Sequence, residues 1–387
     1  RMEFENNSKM IALSSASYTF ENLYKTYREW TNRIYSDEKN DATYFVSQMG
    51  YEALPEEMID KTVIEEAQEG GSSHSSFLRE YCAQFTDGSD SYFSAKKMHE
   101  CTIPDGETPT TLVRGSSNTK YILGIDPSFS NSPSSDLFAM SLLEVDENTG
   151  EGTLVHSYAV AGGDLKDHIN YLFYLYTNFN IELIVIDNAG YQFLDSCNES
   201  EHFVNAGINL KFLDFDASKE GQDYDKEIRR LKRDLNKSDH RICFKQNFTS
   251  DFLRKANEHL QAAIDHKKIW FASRTTANGS MFDKQSNYNI NLKMVGENNI
   301  GEFIETQDTL IYSTKKQCAL VEVKSTAKGT QTFDLPQHLK RSTSPHRARK
   351  DNYTTLMLAN WGLRCYNDTK STNVTEINST FLPQMFR

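Results

Sequence analysis

The sequence predicts an α/β protein built on a mixed β-sheet flanked by helices, and three observations lead there. KYILGID at 120–126 and IELIVID at 181–187 are short, almost wholly apolar runs of the kind that form buried central strands. LFAMSLLEV at 137–145 and TLVHSYAV at 153–160, joined by the turn sequence DENTGEG, read as an antiparallel meander with the first run. DLKDHINYLFYLYTNF at 164–179 then places apolar residues at 165, 169, 172, 173, 176 and 179, a helical spacing, just before the returning strand.

The remaining elements follow from the same periodicities. Residues 9–16, KMIALSSA, read as a short buried strand running into a polar turn, and 19–35 as an amphipathic helix rich in Tyr and Trp. Residues 55–70 open with Pro55 and carry Glu56, Glu57 and Asp60 in the first turn, a favourable helix start. FLREYCAQF at 77–85 suits helix or strand. Pro104, Gly106, Pro109 and Gly115 interrupt a stretch with few large apolar residues, so the domain boundary is expected at 102–118. Downstream come a helix at 224–236, strands near 241–244 and 268–272, a helix near 302–317, a hairpin around Lys328-Gly329 and a last helix at 350–362. The expected organisation is therefore 1–105, a linker at 106–118, a main domain at 119–365 and a tail at 366–387.

A formal charge of −12 excludes a uniformly basic nucleic-acid coat but not a local basic patch. No apolar run approaches the ~20 residues of a membrane helix. Cysteines at 82, 101, 197, 243, 318 and 365 form no CxxC pair, which fits reduced thiols in a cytosolic compartment and gives no zinc signature. The first residue is Arg1 rather than Met, so the chain is expected to be part of a longer protein.

The chemistry concentrates where strands stop. Both central strands end on an acid, Asp126 and Asp187. Taken alone, such an acid caps the turn that follows. Two of them in one sheet can converge at one edge, where like charges need compensation that Mg²⁺ or Mn²⁺ supplies. Two such ions ~3.5–4 Å apart clamp the attacking water and the leaving oxygen of a phosphodiester. The candidate third acid is Asp351, which opens the helix of HRARKDNYTTLMLANWG at 346–362. Its ordinary reading is a helix-terminal acid favoured by the macrodipole.

These stretches resemble a known family. GIDPSFSN after a strand, VIDNAG after a helix-strand unit and RKDNYTTLMLAN late in the domain are similar to the acidic motifs of the nuclease domain of phage terminase large subunits, which has an RNase H-like fold. KMIALSSA resembles the coupling motif near the end of the terminase packaging ATPase, and FLREYCAQF the segment before the nuclease. The resemblance covers roughly residues 9–365. It implies an RNase H-like nuclease preceded by a partial P-loop ATPase-type α/β segment, acting as a metal-dependent endonuclease on double-stranded DNA. Asp126, Asp187 and Asp351 would be the catalytic and metal-binding acids, with Asp136 either a fourth ligand or a turn residue. Ser14, Ser15 and Ala16 would be the coupling motif. The implied partners are DNA, the portal, the small terminase subunit and further copies on the motor. The implied setting is the host cytoplasm, transiently at the procapsid portal. The chain departs from the family in having no GxxxxGK[ST], so ATP hydrolysis is expected only with an upstream P-loop segment.

Two basic stretches suit a DNA backbone. YDKEIRRLKRDL at 224–235 carries Lys226, Arg229, Arg230, Lys232 and Arg233, although a charged helix is more often a solvated face, and Glu227 and Asp234 would pair with part of this one. HLKRSTSPHRARK at 338–350 sets Lys340, Arg341, Arg347, Arg349 and Lys350 directly before Asp351. The rival readings are an actin-like or sugar-kinase-type ATPase and a nonenzymatic packaging component. Against the first, Asp126 is followed by Pro-Ser-Phe-Ser and Asp187 by Asn-Ala-Gly, neither of them a glycine-rich phosphate loop.

Overall fold

The computed structural model describes residues 10–19, 21–36, 44–69, 74–86, 91–130, 132, 135–213, 215, 219, 221–236, 242–274, 299–325, 331–336, 339 and 348–371. The chain divides into two compact units, one formed by residues 1–91 with 336–338, the other by 92–335 with 339–387.

The larger unit is the expected mixed α/β sheet. Its six strands are β1 (Lys120–Asp126), β2 (Leu137–Val145), β3 (Gly152–Ala161), β4 (Ile181–Asp187), β5 (Cys243–Gln246) and β6 (Ile269–Phe271), in the order β5-β4-β1-β2-β3-β6. β1, β2 and β3 form an antiparallel meander, while β4 runs parallel to β1 and β5 parallel to β4. This is the order and direction expected of an RNase H-like sheet. β6 adds in parallel to β3, and β7 (Glu322–Ser325) with β8 (Gln331–Asp334) makes a separate antiparallel ribbon. That ribbon matches the expected hairpin, although its turn at Lys328-Gly329 lies outside the described residues.

Both faces of the sheet are covered, which is why its strands are apolar almost throughout rather than alternating. On one face Phe138 stacks on His168 of the helix Leu165–Asn178 and meets Phe193 of the helix Tyr191–Glu199 edge-on. On the other lies the helix Asp351–Ser371, buried on nearly every side for its first four turns. Gly124 of β1 admits its backbone: a Cβ there would stand 2.2 Å from the Thr355 carbonyl oxygen. The helices Ser250–Asp265 and Ile300–Leu320 close its outer side through Tyr353 to Asn257, Asn360 to His259, and Gln317 to the backbone of residues 352 and 353. An all-round buried helix needs apolar or paired residues on every face, and Ser141 with Thr355, whose hydroxyls lie 2.7 Å apart, satisfies one such buried polar pair.

Several expectations need correction. The segment 102–118 is no linker: Thr111 and Val113 are buried, Leu112 N–H donates to Val155 O at 2.9 Å, and Thr102 and Thr110 form bridges to Phe271 and Ser273. The division instead falls between residues 91 and 92. Proline and glycine punctuated a segment that runs along the edge strand β6, where a few backbone bonds suffice to bury it. The tail does not begin at 366, because the helix continues to Ser371 with Tyr366 buried and bonded to Glu147. Residues 372–387 lie outside the described residues.

In the smaller unit the helix Asn22–Tyr35 forms as expected, followed by the helices Lys61–Glu69 and His74–Glu80. The strand expected at 9–16 does not form over its described part: Met10, Ile11 and Leu13 are exposed coil. Among the described residues this unit holds no strand, only a bridge between Tyr18 and Thr86, so no sheet edge offers that segment hydrogen-bond partners. The anticipated ATPase-type α/β segment is therefore helical and irregular here. Tyr24, Tyr27 and Phe85 form its aromatic cluster, with both tyrosine rings 5.0 Å from Phe85.

A candidate acidic metal centre at the end of the sheet

The site grows out of strand register. Ile125 pairs with Ile186 in the parallel β1–β4 ladder, so Asp126 and Asp187 follow in phase, on neighbouring strands about 5 Å apart and on the same face. That face is the one covered by the Asp351 helix, since Gly124 and Val185, each two residues earlier, lie against its backbone or against Gly362. β2 runs antiparallel to β1 with Asp126 opposite Ala139, which brings Asp136, just before β2, to the same end of the sheet.

Asp351 is pinned there from the helix side. Its Oδ2 accepts from Leu137 N–H at 2.8 Å, and Arg349 Nε donates to Ser135 O at 3.1 Å, so two hydrogen bonds stitch the helix entrance to the strand that follows Asp136. Lys350 reaches Asp334 at the end of β8, Nζ to Oδ1 at 3.1 Å. A cap is supplied from elsewhere in the chain. Lys350, the residue before the helix, has no side-chain acceptor to offer, and Gln317 Oε1 takes the N–H groups of Asn352 at 2.9 Å and Tyr353 at 3.2 Å.

Asp126, Asp136, Asp187 and Asp351 line one cavity of about 300 Å³ together with Lys350. The same cavity is also lined by apolar and aromatic side chains, Phe248, Leu253, Phe333, Tyr353 and Met357. Burial pushes the Asp126 carboxyl well above the usual range, the charges of Asp351, Asp187 and Asp136 push it further, and Lys350 opposes them. Asp351 is raised to about 6, first by burial and also by Asp136, against the Leu137 N–H, Arg349 and Lys350.

Four carboxylates in one cavity are a donor set for a hard divalent cation, and their mutual repulsion is the cost such a cation would remove. The residues fit on that chemistry. The shell itself is not drawn together: among the described residues no group of three or more His, Cys, Asp or Glu side chains stands in a metal-holding arrangement. Asp351 instead turns one carboxylate oxygen toward the Leu137 N–H, while all four acids line the same cavity.

Of the other sequence candidates, Lys340, Arg341 and Arg347 lie outside the described residues. Lys226, Arg230 and Arg233 on the helix Gly221–Leu235 pair with Asp223, Glu227 and Asp234 of the same helix, and Arg229 donates to the Asp225 carbonyl. Tyr224 at its start bonds Asp368, which is about 25 Å along the last helix from Asp351. That end of the basic helix is thus remote from the acids. Ser14 and Ser15 are exposed coil and Ala16 is half-buried. Gln317 and the apolar lining residues escaped the sequence reading. A lysine at a helix entrance was the available hint that some distant acceptor must cap it.

No protein-family model and no curated protein matches the sequence. Among solved structures, the chain is similar to the large terminase nuclease of the thermophilic phage G20c with bound magnesium, at 13% identity over 70% of this chain and 96% of that one, TM-score 0.37. It is also similar to the large terminase nuclease domain of Thermus phage P74-26, at 14% identity over 70% of this chain and 93% of that one, TM-score 0.37. A third is the HK97 bacteriophage large terminase, at 11% identity over 89% of this chain and 61% of that one, TM-score 0.38. The chain thus spans 61% of the length of that full large terminase. Similarity at this level assigns no residue a role. No described helix is long and apolar enough to cross a membrane.

Proposed function

We propose that this chain is a metal-dependent endonuclease for double-stranded DNA and part of a phage terminase large subunit. One observation carries the reading: Asp126, Asp136, Asp187 and Asp351, from four separate points of the sequence, line a single cavity at one end of the sheet. Asp126 and Asp187 would hold cations from the strand side and Asp351 from the helix side, with Asp136 the fourth candidate ligand. Mg²⁺ or Mn²⁺, two ions in this reading, would supply charge neutralisation and a water acidic enough to attack a phosphodiester at neutral pH. The protein's part is to keep the carboxylates close in a half-dry cavity, with Asp351 held by the Leu137 N–H and Lys350 offsetting the negative charge at Asp126. Arg349 and Lys350, at the entrance of the Asp351 helix, are the proposed phosphate contacts, which would position DNA without reading sequence. The portal, the small terminase subunit and further copies of the chain are the proposed partners, in the host cytoplasm. ATP would be turned over only with an upstream P-loop segment, through coupling residues Ser14, Ser15 and Ala16.

The test is nicking of supercoiled plasmid in parallel reactions with EDTA, Mg²⁺ and Mn²⁺. Asp126→Asn keeps size and hydrogen bonding but loses the charge that holds a cation, so it should fold and bind DNA while cleavage drops at least ~1000-fold. Cleavage that persists in EDTA, or an Asp126→Asn protein as active as the parent, would reject the mechanism.

A further inference from the structure

Beside its acids the cavity has apolar lining residues, which have no task in holding cations or phosphates. Phe248, Leu253, Phe333, Tyr353 and Met357 face the same space as the four acids. A phosphodiester backbone presents charge and sugar; the planar apolar part of a nucleic acid is the base. Within a duplex the bases are stacked and paired, so their faces cannot reach an apolar wall beside the scissile phosphate unless the pair opens.

Phe248 is built as a platform. It follows β5 directly, past Gln246, which pairs with Asp187, so it is only two residues beyond the acid's register partner. Phe248 is 36% exposed, where phenylalanine is usually buried. Behind it Phe252 stacks at 5.8 Å and 24°, and Phe252 is itself buried edge-on against Trp361 at 5.4 Å and 87°. Phe252 thus backs the Phe248 ring, and Phe248 remains partly exposed. A volume of about 300 Å³ is at the small end of ligand pockets, suited to one nucleotide and too small for a base pair.

We infer that a base next to the scissile phosphate leaves its pair and stacks on Phe248, so that the strand presented to the acids is locally unpaired. This rests on the nuclease reading and makes it specific: the substrate at the moment of cleavage is an opened duplex. Mismatched or single-stranded DNA, which has no pairing cost, becomes the better substrate, and Phe248 is the residue that rewards the opened state.

The experiment uses the full chain and two oligonucleotide duplexes, one fully paired and one with a central mismatch carrying 2-aminopurine. The first readout is 2-aminopurine fluorescence on binding in EDTA, which does not depend on cleavage. Transfer of 2-aminopurine from the base stack to Phe248 changes its fluorescence in the parent, Phe248→Trp retains a change, and Phe248→Leu loses it at similar apolar volume. The second readout is cleavage with Mn²⁺. The parent prefers the mismatched duplex, and Phe248→Leu reduces cleavage by roughly 5- to 100-fold, the range that base–aromatic stacking allows, with Phe248→Trp restoring it. A parent that cleaves in metal while fluorescence is the same with Phe248 and with Phe248→Leu overturns the base pocket alone. A parent with no metal-dependent cleavage of either duplex overturns the nuclease reading and this inference with it.

Discussion

Gly124→Ala tests whether the sheet and the Asp351 helix must touch backbone to backbone for the acids to meet. A Cβ at Gly124 would stand 2.2 Å from Thr355 O and 2.7 Å from Ala359 N, where ordinary contact begins at 3.4 Å. Both atoms are helix backbone and cannot rotate aside, so the helix must retreat by about 1 Å. Overpacking of this kind costs roughly 1–3 kcal/mol. The retreat also carries Asp351 away from Asp126, only two residues beyond Gly124, and a displacement of about 1 Å in a catalytic constellation lowers rates up to ~100-fold. Gly362→Ala is the matched control: its Cβ would meet Val185 Cγ2 at 2.7 Å and Ile122 Cγ2 at 2.8 Å, side-chain methyls that can shift. It should cost less in stability and far less in cleavage. Urea denaturation and plasmid nicking of the three proteins decide the matter. A Gly124→Ala protein within about 0.5 kcal/mol of the parent and equally active would refute the close-contact argument.

Two further outcomes follow from the packing. His156 is wholly buried, with Nδ1 2.7 Å from Leu112 O and Nε2 2.8 Å from Tyr171 Oη, and desolvation pulls its pKa down to about 4 from 6.5. The unfolded chain therefore takes up a proton that the folded chain refuses between those values. Stability fully present above pH 6.5 is lost as pH falls through 4, by about 3 kcal/mol from this residue. Urea midpoints from pH 7 to 4 should fall less steeply in His156→Gln, and an unchanged slope would exclude the assignment. The placement of 92–118 against the sheet predicts that a fragment of residues 92–371 folds cooperatively while one of 119–371 does not, because the latter loses Phe93, Met98, Cys101 and Val113 from the core. Equal cooperativity of the two by circular dichroism and thermal melting would restore the boundary expected from composition.

The apolar runs of β1 and β4, each closing on an acid, were legible because strand identity and the residue at a strand's end are local properties of the chain. The same holds for the helix that Asp351 opens, marked by its apolar sequence and acidic first turn. The antiparallel meander followed from three successive apolar runs, the second and third joined by a short turn that leaves little choice of partner. Tertiary structure alone decided which ends of which elements coincide, and so whether Asp136 belongs with the other acids or to an ordinary turn. It also decided that Gln317 caps a helix whose own entrance is lysine, that Phe248 lines the cavity of the acids, that Pro/Gly-rich 102–118 is bound to the sheet, and that KMIALSSA is coil over its described residues. Each of these depends on a hydrogen-bond partner or a covering surface far away in sequence. Local pattern records what a segment can form; burial and hydrogen-bond satisfaction, which are properties of the assembled core, determine what it does form.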